Sequence, residues 1–258
     1  MTRTEQTSTD RFAGRTAIVT GASRGIGLAI AERLVAGGAK VAITGRKADA
    51  LATAVAELGG AGRALGVAGR AEDTDHQDEV IEKAVETFGS ADLLVNNTGI
   101  NPVYGPLAEL DLDAARKIVE VNCFCALSWI QKVNKAWMVE HGGSVVNVAS
   151  VGGIRPAPGI GMYGASKAML IHLTEELAVE LGPGIRVNAV APAVVKTTFA
   201  TALYDGREEE VAAAYPLKRL GIPSDFGGAV TFLLSEDAAW MTGQTLVIDG
   251  GLTLAGGT

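Results

Sequence analysis

Apolar and polar positions along this chain follow two alternating rhythms. Short runs of β-branched and small apolar residues fall at 16–20 (TAIVT), 40–44 (KVAIT), 64–67, 93–96, 144–148, 185–190 and 245–248. Their length and near-continuous apolar character predict strands buried on both faces. Between them, apolar residues recur every three or four positions at 28–36, 48–58, 111–141, 163–181 and 224–234, which predicts amphipathic helices. A polar stretch at 69–78 opens a further helix that ends at Phe88. Gly182-Pro183-Gly184 stops the helix that starts at Tyr163. Residues 198–215 read as helical, charged and weakly anchored, a lid. Strands alternate with helices throughout, with no internal repeat and no linker. The pattern predicts one α/β domain over residues 13–258, with a doubly wound parallel sheet. The polar, Thr-rich segment 1–12 reads as a disordered tail.

Composition supports this reading. Of 258 residues 48% are apolar, only 5% are aromatic, and 33 are glycine. Small side chains in this proportion suit helices laid on a parallel sheet. The formal net charge of −7 argues against a nucleic-acid surface, which needs a basic face. No apolar run approaches the roughly 20 residues of a membrane span, and no signal peptide is recognised, so a cytoplasmic protein is expected. Cys123 and Cys125 diverge at i,i+2 on a helix and are expected to be buried thiols, neither bridged nor metal-bound. His76, His141 and His172 show no spacing for a metal or a triad. Trp129, Trp137 and Trp240 are assigned to core or subunit contacts.

Candidate chemistry begins after the first strand. Gly21-Ala-Ser23-Arg24-Gly25-Ile26-Gly27 joins that strand to a helix, a G-x-x-x-G-x-G spacing. Glycines let the backbone approach a ligand, and the helix N-terminus presents free N–H groups to a pyrophosphate. This predicts dinucleotide binding. The second strand ends in Gly45-Arg46-Lys47, where an NAD site carries an acidic residue for the ribose 2′-hydroxyl. An arginine there attracts a 2′-phosphate, with Arg24 adding positive charge, so NADP(H) is expected over NAD(H). Asn96-Asn97-Thr98-Gly99 sits at another strand end and is placed to line the ligand crevice. Asn122 lies on an apolar helical stretch and needs partners, as a structural bridge or as part of a polar relay. Ser150 follows the fifth strand. Tyr163 and Lys167, four residues apart, share one helix face. An ammonium beside a phenol is expected to lower its pKa from about 10.

Together these motifs resemble the short-chain dehydrogenase/reductase (SDR) family over the chain from Arg15 onwards. The resemblance rests on residues 20–27, 96–99, Asn122, Ser150, Tyr163 with Lys167, and residues 192–197. It looks most like the branch of 3-oxoacyl-(acyl-carrier-protein) reductases. It implies a single-domain Rossmann fold with seven strands, a nicotinamide cofactor and a homotetramer, in which the segment 247–254 is placed at a subunit interface. It also implies roles. Tyr163 is the general acid in reduction and the base in oxidation. Lys167 lowers its pKa and bonds the nicotinamide ribose. Ser150 holds the substrate oxygen, and Asn122 holds a relay water. Gly21, Ser23, Arg24, Gly25, Ile26 and Gly27 cradle phosphates and ribose. Arg46 takes the 2′-phosphate, Asn96 lies by the adenosine ribose, and Gly99 lines the cofactor crevice. Val195 and Thr197 hold the carboxamide. Three positions depart from the pattern: Thr98 for Ala, Ala193 for Gly, and Arg70 for an Asp near the adenine.

The expected activity is NADPH-dependent reduction of a ketone or 3-oxoester to a secondary alcohol. A carrier-bound 3-oxoacyl thioester is the alternative substrate. Glu175, Glu176 and Glu180 disfavour an acidic carrier protein, whereas Lys132 and Lys135 leave it open. A non-catalytic NADP(H) sensor is the reading from another class. It has no need of Ser150, Tyr163 and Lys167, all of which are present.

Overall fold

The computed structural model describes residues 10–255. In chain order the elements are β1 (Thr16–Val19), α1 (Gly25–Ala36), β2 (Lys40–Gly45), α2 (Ala48–Glu57), β3 (Ala64–Ala68), α3 (Thr74–Phe88) and β4 (Leu93–Asn96). Then come α4 (Leu112–Val119), α5 (Cys125–Val133), α6 (Val139–His141), β5 (Gly143–Val148), α7 (Gly161–Glu180), β6 (Ile185–Pro192), α8 (Glu208–Ala213), α9 (Ser224–Leu234) and β7 (Thr245–Ile248). All seven strands pair parallel in the order β3-β2-β1-β4-β5-β6-β7. From β1 the chain first winds outward through β2 and β3, then crosses back to β4 and winds the other way. The order therefore reverses between β1 and β4, and a crevice opens there beyond the carboxyl ends of the strands.

Both faces of the sheet are covered, and the alternation along β1 shows how. Ala17 and Val19 join Ile30 and Leu34 of α1 and Val230 and Leu233 of α9. Ile18 points the other way, into a cluster with Val80 and Ile81 of α3, Trp129 and Ile130 of α5 and Leu177 of α7. Successive side chains on a strand face opposite sides, so a continuous apolar run feeds two cores at once. Burying a side chain such as Ile18 contributes about 1.5–3 kcal/mol.

Three expectations are revised. Residues 1–9 of the expected tail lie outside the described residues, but Phe12, counted with that tail, is 3% exposed in the α1 core. Its N–H donates to Gly37 O at 2.7 Å. The helical stretch expected at 111–141 keeps its path but is loosened into π-helical turns at Glu120–Phe124 and Asn134–Met138. The segment expected as a weakly anchored helix at 198–215 is a 3₁₀ turn at Thr201–Leu203 followed by α8. It is anchored by Ala200, Ala212 and Tyr215, all buried, and the Tyr215 hydroxyl accepts from Val194 N at 3.2 Å. Of the tryptophans, Trp129 is a core residue and Trp240 is 100% exposed. His76 lies on α3 with its side chain turned into the protein interior.

Candidate active site

The turn between β1 and α1 has the conformation that its glycines predict. Gly21 and Gly25 both have φ of +63°, which favours glycine. At Gly27 the limit is space: a Cβ would lie 2.6 Å from Asn97 Nδ2 and 2.9 Å from Ala22 Cα. Arg24 precedes the helix and makes no side-chain cap, so the first-turn N–H groups of α1 are left for a ligand. The turn is held from β4. Asn97 Nδ2 donates to Thr20 O at 2.9 Å and to Gly21 O at 3.1 Å. The Thr20 hydroxyl accepts from the N–H groups of Asn97 and Thr98, each at 3.0 Å.

Asn96, placed by the adenosine ribose on the family pattern, points away from the crevice. Its side chain is buried and donates to Ala126 O at 3.2 Å and Asn147 Oδ1 at 3.0 Å. Asn147 in turn donates to Thr174 Oγ1 at 2.9 Å, tying β4, β5 and α7 together. Alternation along β4 decides this: adjacent side chains face opposite ways, and Asn97 rather than Asn96 takes the crevice side.

Positive charge gathers where β2 ends. Arg24, Arg46 and Lys47 border the crevice, are exposed, and have no carboxylate partner among the described residues. An acidic residue at position 45 would be crowded, since a Cβ on Gly45 lies 3.2 Å from Ser23 Oγ. Further along, Arg70 and Lys117 converge on Glu72 at 3.0 and 2.9 Å. Burial opposes the Glu72 charge, but hydrogen bonds from Lys117, the backbone and Arg70 pull its carboxyl down to about 2.

Beyond β5, Ser150 caps a 3₁₀ turn at Val151–Gly153, its hydroxyl accepting from Gly152 N at 3.1 Å. Tyr163 lies in the first turn of α7, and Lys167 follows one turn on. Lys167 is buried; its ammonium donates to Val148 O at 2.8 Å and stands 5.7 Å from the Tyr163 ring centroid. Burial pushes the Tyr163 phenol up to about 12, against a hydrogen bond with Ser150 that pulls it down and a contribution from Tyr104 that adds to the rise. This reverses the expected direction. The ammonium is spent on a main-chain carbonyl beside the ring, and burial, which disfavours the phenolate, is the largest influence on the phenol. Burial also lowers Lys167, to about 8, with Cys123 acting the other way.

Asn122 is fully buried in the first π turn. Its Oδ1 accepts from Ile100 N at 2.7 Å, while Nδ2 donates to Ile100 O at 3.0 Å and Ser166 Oγ at 2.9 Å. Its side chain is thus a structural bridge between the loop after β4 and α7. Gly99 fits tightly under it: a Cβ there would be 3.3 Å from both Asn122 Oδ1 and Lys167 Nζ. Across the crevice, Thr197 approaches Gly25, with 3.5 Å between Thr197 Cγ2 and a Cβ built on the glycine. Val195 is buried below it in an isolated bridge to Gly221.

The glycine turn, the cations at the end of β2, Ser150, Tyr163, Lys167, Val195 and Thr197 border one open cleft of about 1480 Å³, with Asn96 and Asn122 behind its wall. A typical small-ligand pocket holds about 300–1,000 Å³, so a dinucleotide and a second molecule fit together. The glycine cradle that a Cβ would fill, the open helix N-terminus and the free cations fit a phosphate-bearing nicotinamide dinucleotide.

A family model described as "Enoyl-(Acyl carrier protein) reductase" matches residues 21–253. The protein named "Dehydrogenase/reductase SDR family member 4" of Caenorhabditis elegans is 38% identical, over 94% of this chain and 96% of that one. The human protein of the same name is also 38% identical, over 97% of this chain and 92% of its own length. This chain belongs to the short-chain dehydrogenase/reductase family. The SDR fold extends to a solved structure from Brucella melitensis, titled short-chain dehydrogenase/reductase SDR: glucose/ribitol dehydrogenase. It is 32% identical with a TM-score of 0.89, covering 95% of this chain and 98% of that one. The chain is therefore an oxidoreductase of a family that uses a nicotinamide cofactor. Among the described residues no helix is long and apolar enough to cross a membrane, and no group of three His, Cys, Asp or Glu side chains is placed to hold a metal.

The departures from the SDR pattern fall on the cofactor side. Thr98 Oγ1 is buried without a partner, 2.8 Å from where a Cβ on Gly21 would lie. Arg70 is turned to Glu72. Ala193 borders the cleft, its N–H donating to Ile248 O at 3.4 Å. The sequence reading passed over Thr20 and Asn97 as holders of the glycine turn; Asn97 was already inside the quoted motif. It also passed over Glu72 and Lys117, which come together only in three dimensions.

The pKa directions predict a pH profile. With the phenol at about 12, Tyr163 keeps its proton across the neutral range. Lys167, at about 8, loses its charge as pH rises through that value. If the ammonium assists reduction, kcat/KM for the reductive direction falls above pH about 8 with a slope of one proton. Replacing Lys167 with Arg moves that limb upward or abolishes turnover; an unmoved limb would assign the titration to another group.

Proposed function

We propose that this chain is an NADPH-dependent reductase that converts a ketone or 3-oxoester to a secondary alcohol. The observation that carries it is that Ser150, Tyr163 and Lys167 border the same cleft that opens onto Arg24, Arg46 and Lys47, with the Lys167 ammonium 5.7 Å from the Tyr163 ring centroid. When bound, the cofactor supplies the hydride. Tyr163 gives its proton to the carbonyl oxygen, and Ser150 donates a hydrogen bond to the same atom. The two stabilise the charge that develops there. Lys167 sets a positive charge beside the phenol and is placed to bond the nicotinamide ribose. Val195 and Thr197 hold the carboxamide and so choose the nicotinamide face presented. A phenol raised to about 12 keeps its proton at neutral pH, so the donor form of Tyr163 is the one present when a carbonyl binds.

Free carbonyl compounds are favoured over a carrier-bound thioester. The outer face of α7 is acidic, with exposed Glu175 and Glu176 engaged by His172 at 3.1 and 3.3 Å. Such a face repels an acidic carrier. A homotetramer is part of this reading, with exposed Trp240, Val247 and Leu254 as apolar surface for it. The test follows nicotinamide absorbance with NADPH and NADH against ketones, 3-oxoesters and a 3-oxoacyl thioester. Faster turnover with NADPH on a free carbonyl is expected. Tight NADPH binding without turnover of any carbonyl would favour a sensor.

A further inference from the structure

We propose that Arg155 is a carboxylate anchor at the substrate end of the cleft, so that the preferred substrate is an apolar oxo acid rather than a neutral ketone. This rests on the reductase reading above. In the cleft lining, lysines and arginines outnumber carboxylates nine to one, although the chain as a whole carries a net charge of −7. Most of these cations are accounted for. Arg24, Arg46 and Lys47 stand at the dinucleotide end. Arg70 and Lys117 are neutralised on Glu72, and Lys167 bonds Val148 O. Lys196 pairs with Glu208 at 2.8 Å, and Arg207 faces Glu210 at 3.9 Å.

Arg155 is left over. It sits on the loop between Ser150 and Tyr163, half-buried, with its backbone N–H donating to Val151 O at 3.0 Å. Its side chain makes one hydrogen bond, from Nη1 to Leu252 O at 3.1 Å. A guanidinium has five N–H donors, and none of the others meets a carboxylate among the described residues. Asp249, in the same C-terminal turn, spends its carboxylate on the N–H groups of Gly251 and Thr253 at 2.8 and 2.6 Å. A half-buried guanidinium without a counter-ion favours an anion that can take its planar fork. The cleft around Tyr163 is apolar: Phe199 lies 6.0 Å from it between ring centroids, with Tyr104, Ile160 and Leu203 also in the lining. A molecule that spans these features carries a carbonyl for Tyr163, an apolar chain, and a carboxylate for Arg155.

Arg155 as a mere strut to Leu252 makes a different prediction. Loss of a strut weakens all substrates alike; loss of an anchor weakens only the acids. The experiment compares kcat/KM with NADPH for 4-oxopentanoate, 5-oxohexanoate and 7-oxooctanoate against their methyl esters, in the wild type, Arg155→Gln and Arg155→Lys. At the best chain length the acid is expected to exceed its ester by about tenfold or more, through KM, as charge-assisted hydrogen bonds allow. Arg155→Gln brings that ratio to near one, and Arg155→Lys restores part of it. Esters preferred at every length, or a ratio unchanged in Arg155→Gln, overturns the anchor while leaving the reductase reading intact. If no carbonyl of either kind is reduced, the reductase reading falls. Calorimetry of octanoate binding to the NADPH-loaded protein then decides the anchor separately. About tenfold weaker binding in Arg155→Gln supports it, and equal binding removes it.

Discussion

Replacing Tyr163 with Phe is expected to lower kcat for carbonyl reduction by about 10²–10⁴-fold, the usual contribution of a positioned general acid. The substitution removes one oxygen and keeps the ring, so the neighbourhood of Phe199 and the start of α7 are preserved. NADPH binding should persist, because the glycine turn, Arg24 and Arg46 are untouched; fluorescence titration of NADPH checks that point. The remaining Ser150 hydroxyl still bonds the substrate oxygen but has no neighbouring acid to resupply its proton. The effect should therefore fall on kcat rather than on KM. A variant with near-native kcat would move the proton donor elsewhere, and Tyr104, which borders the same cleft, would be the next residue to test.

The second large effect is on cofactor choice. Arg46→Ala is expected to raise KM for NADPH by about 10- to 100-fold, since a hydrogen bond to a charged group is worth about 1.5–3 kcal/mol. KM for NADH should move far less, because that cofactor lacks the 2′-phosphate. Added salt should narrow the NADPH advantage in the wild type, because Arg46 is exposed and its field is screened. Gly45→Asp is the harder route to NADH use, with its Cβ 3.2 Å from Ser23 Oγ, so Ser23 must shift to admit it. A wild-type preference for NADH would remove the phosphate clamp from Arg46.

Much of this was legible in the order of residues. Strand and helix alternation is a local signal, carried by neighbours two, three or four apart, and it led to the parallel α/β sheet. The glycine turn was legible for the same reason: its spacing reflects backbone conformation and close approach within a few residues. Tyr163 and Lys167 share a helix face by arithmetic alone, and Arg46 declares itself by following a strand. These features depend on short stretches of chain, so sequence suffices to read them.

What escaped depends on groups distant in sequence. Asn96 and Asn97 are adjacent, and only the placement of β4 between β1 and β5 sends one into the core and the other to the crevice. Phe12 resembles a tail residue until α1 folds over it. The direction of the Tyr163 shift is a sum of burial, the Ser150 bond and the nearby Tyr104, and spacing cannot reveal which of these wins. Arg155 stands out only when the other cations in the cleft are sorted into those at the dinucleotide end and those already held by a partner. Periodicity and motif spacing are properties of the local chain, whereas burial, charge compensation and side-chain direction are properties of the assembled sheet and its helices.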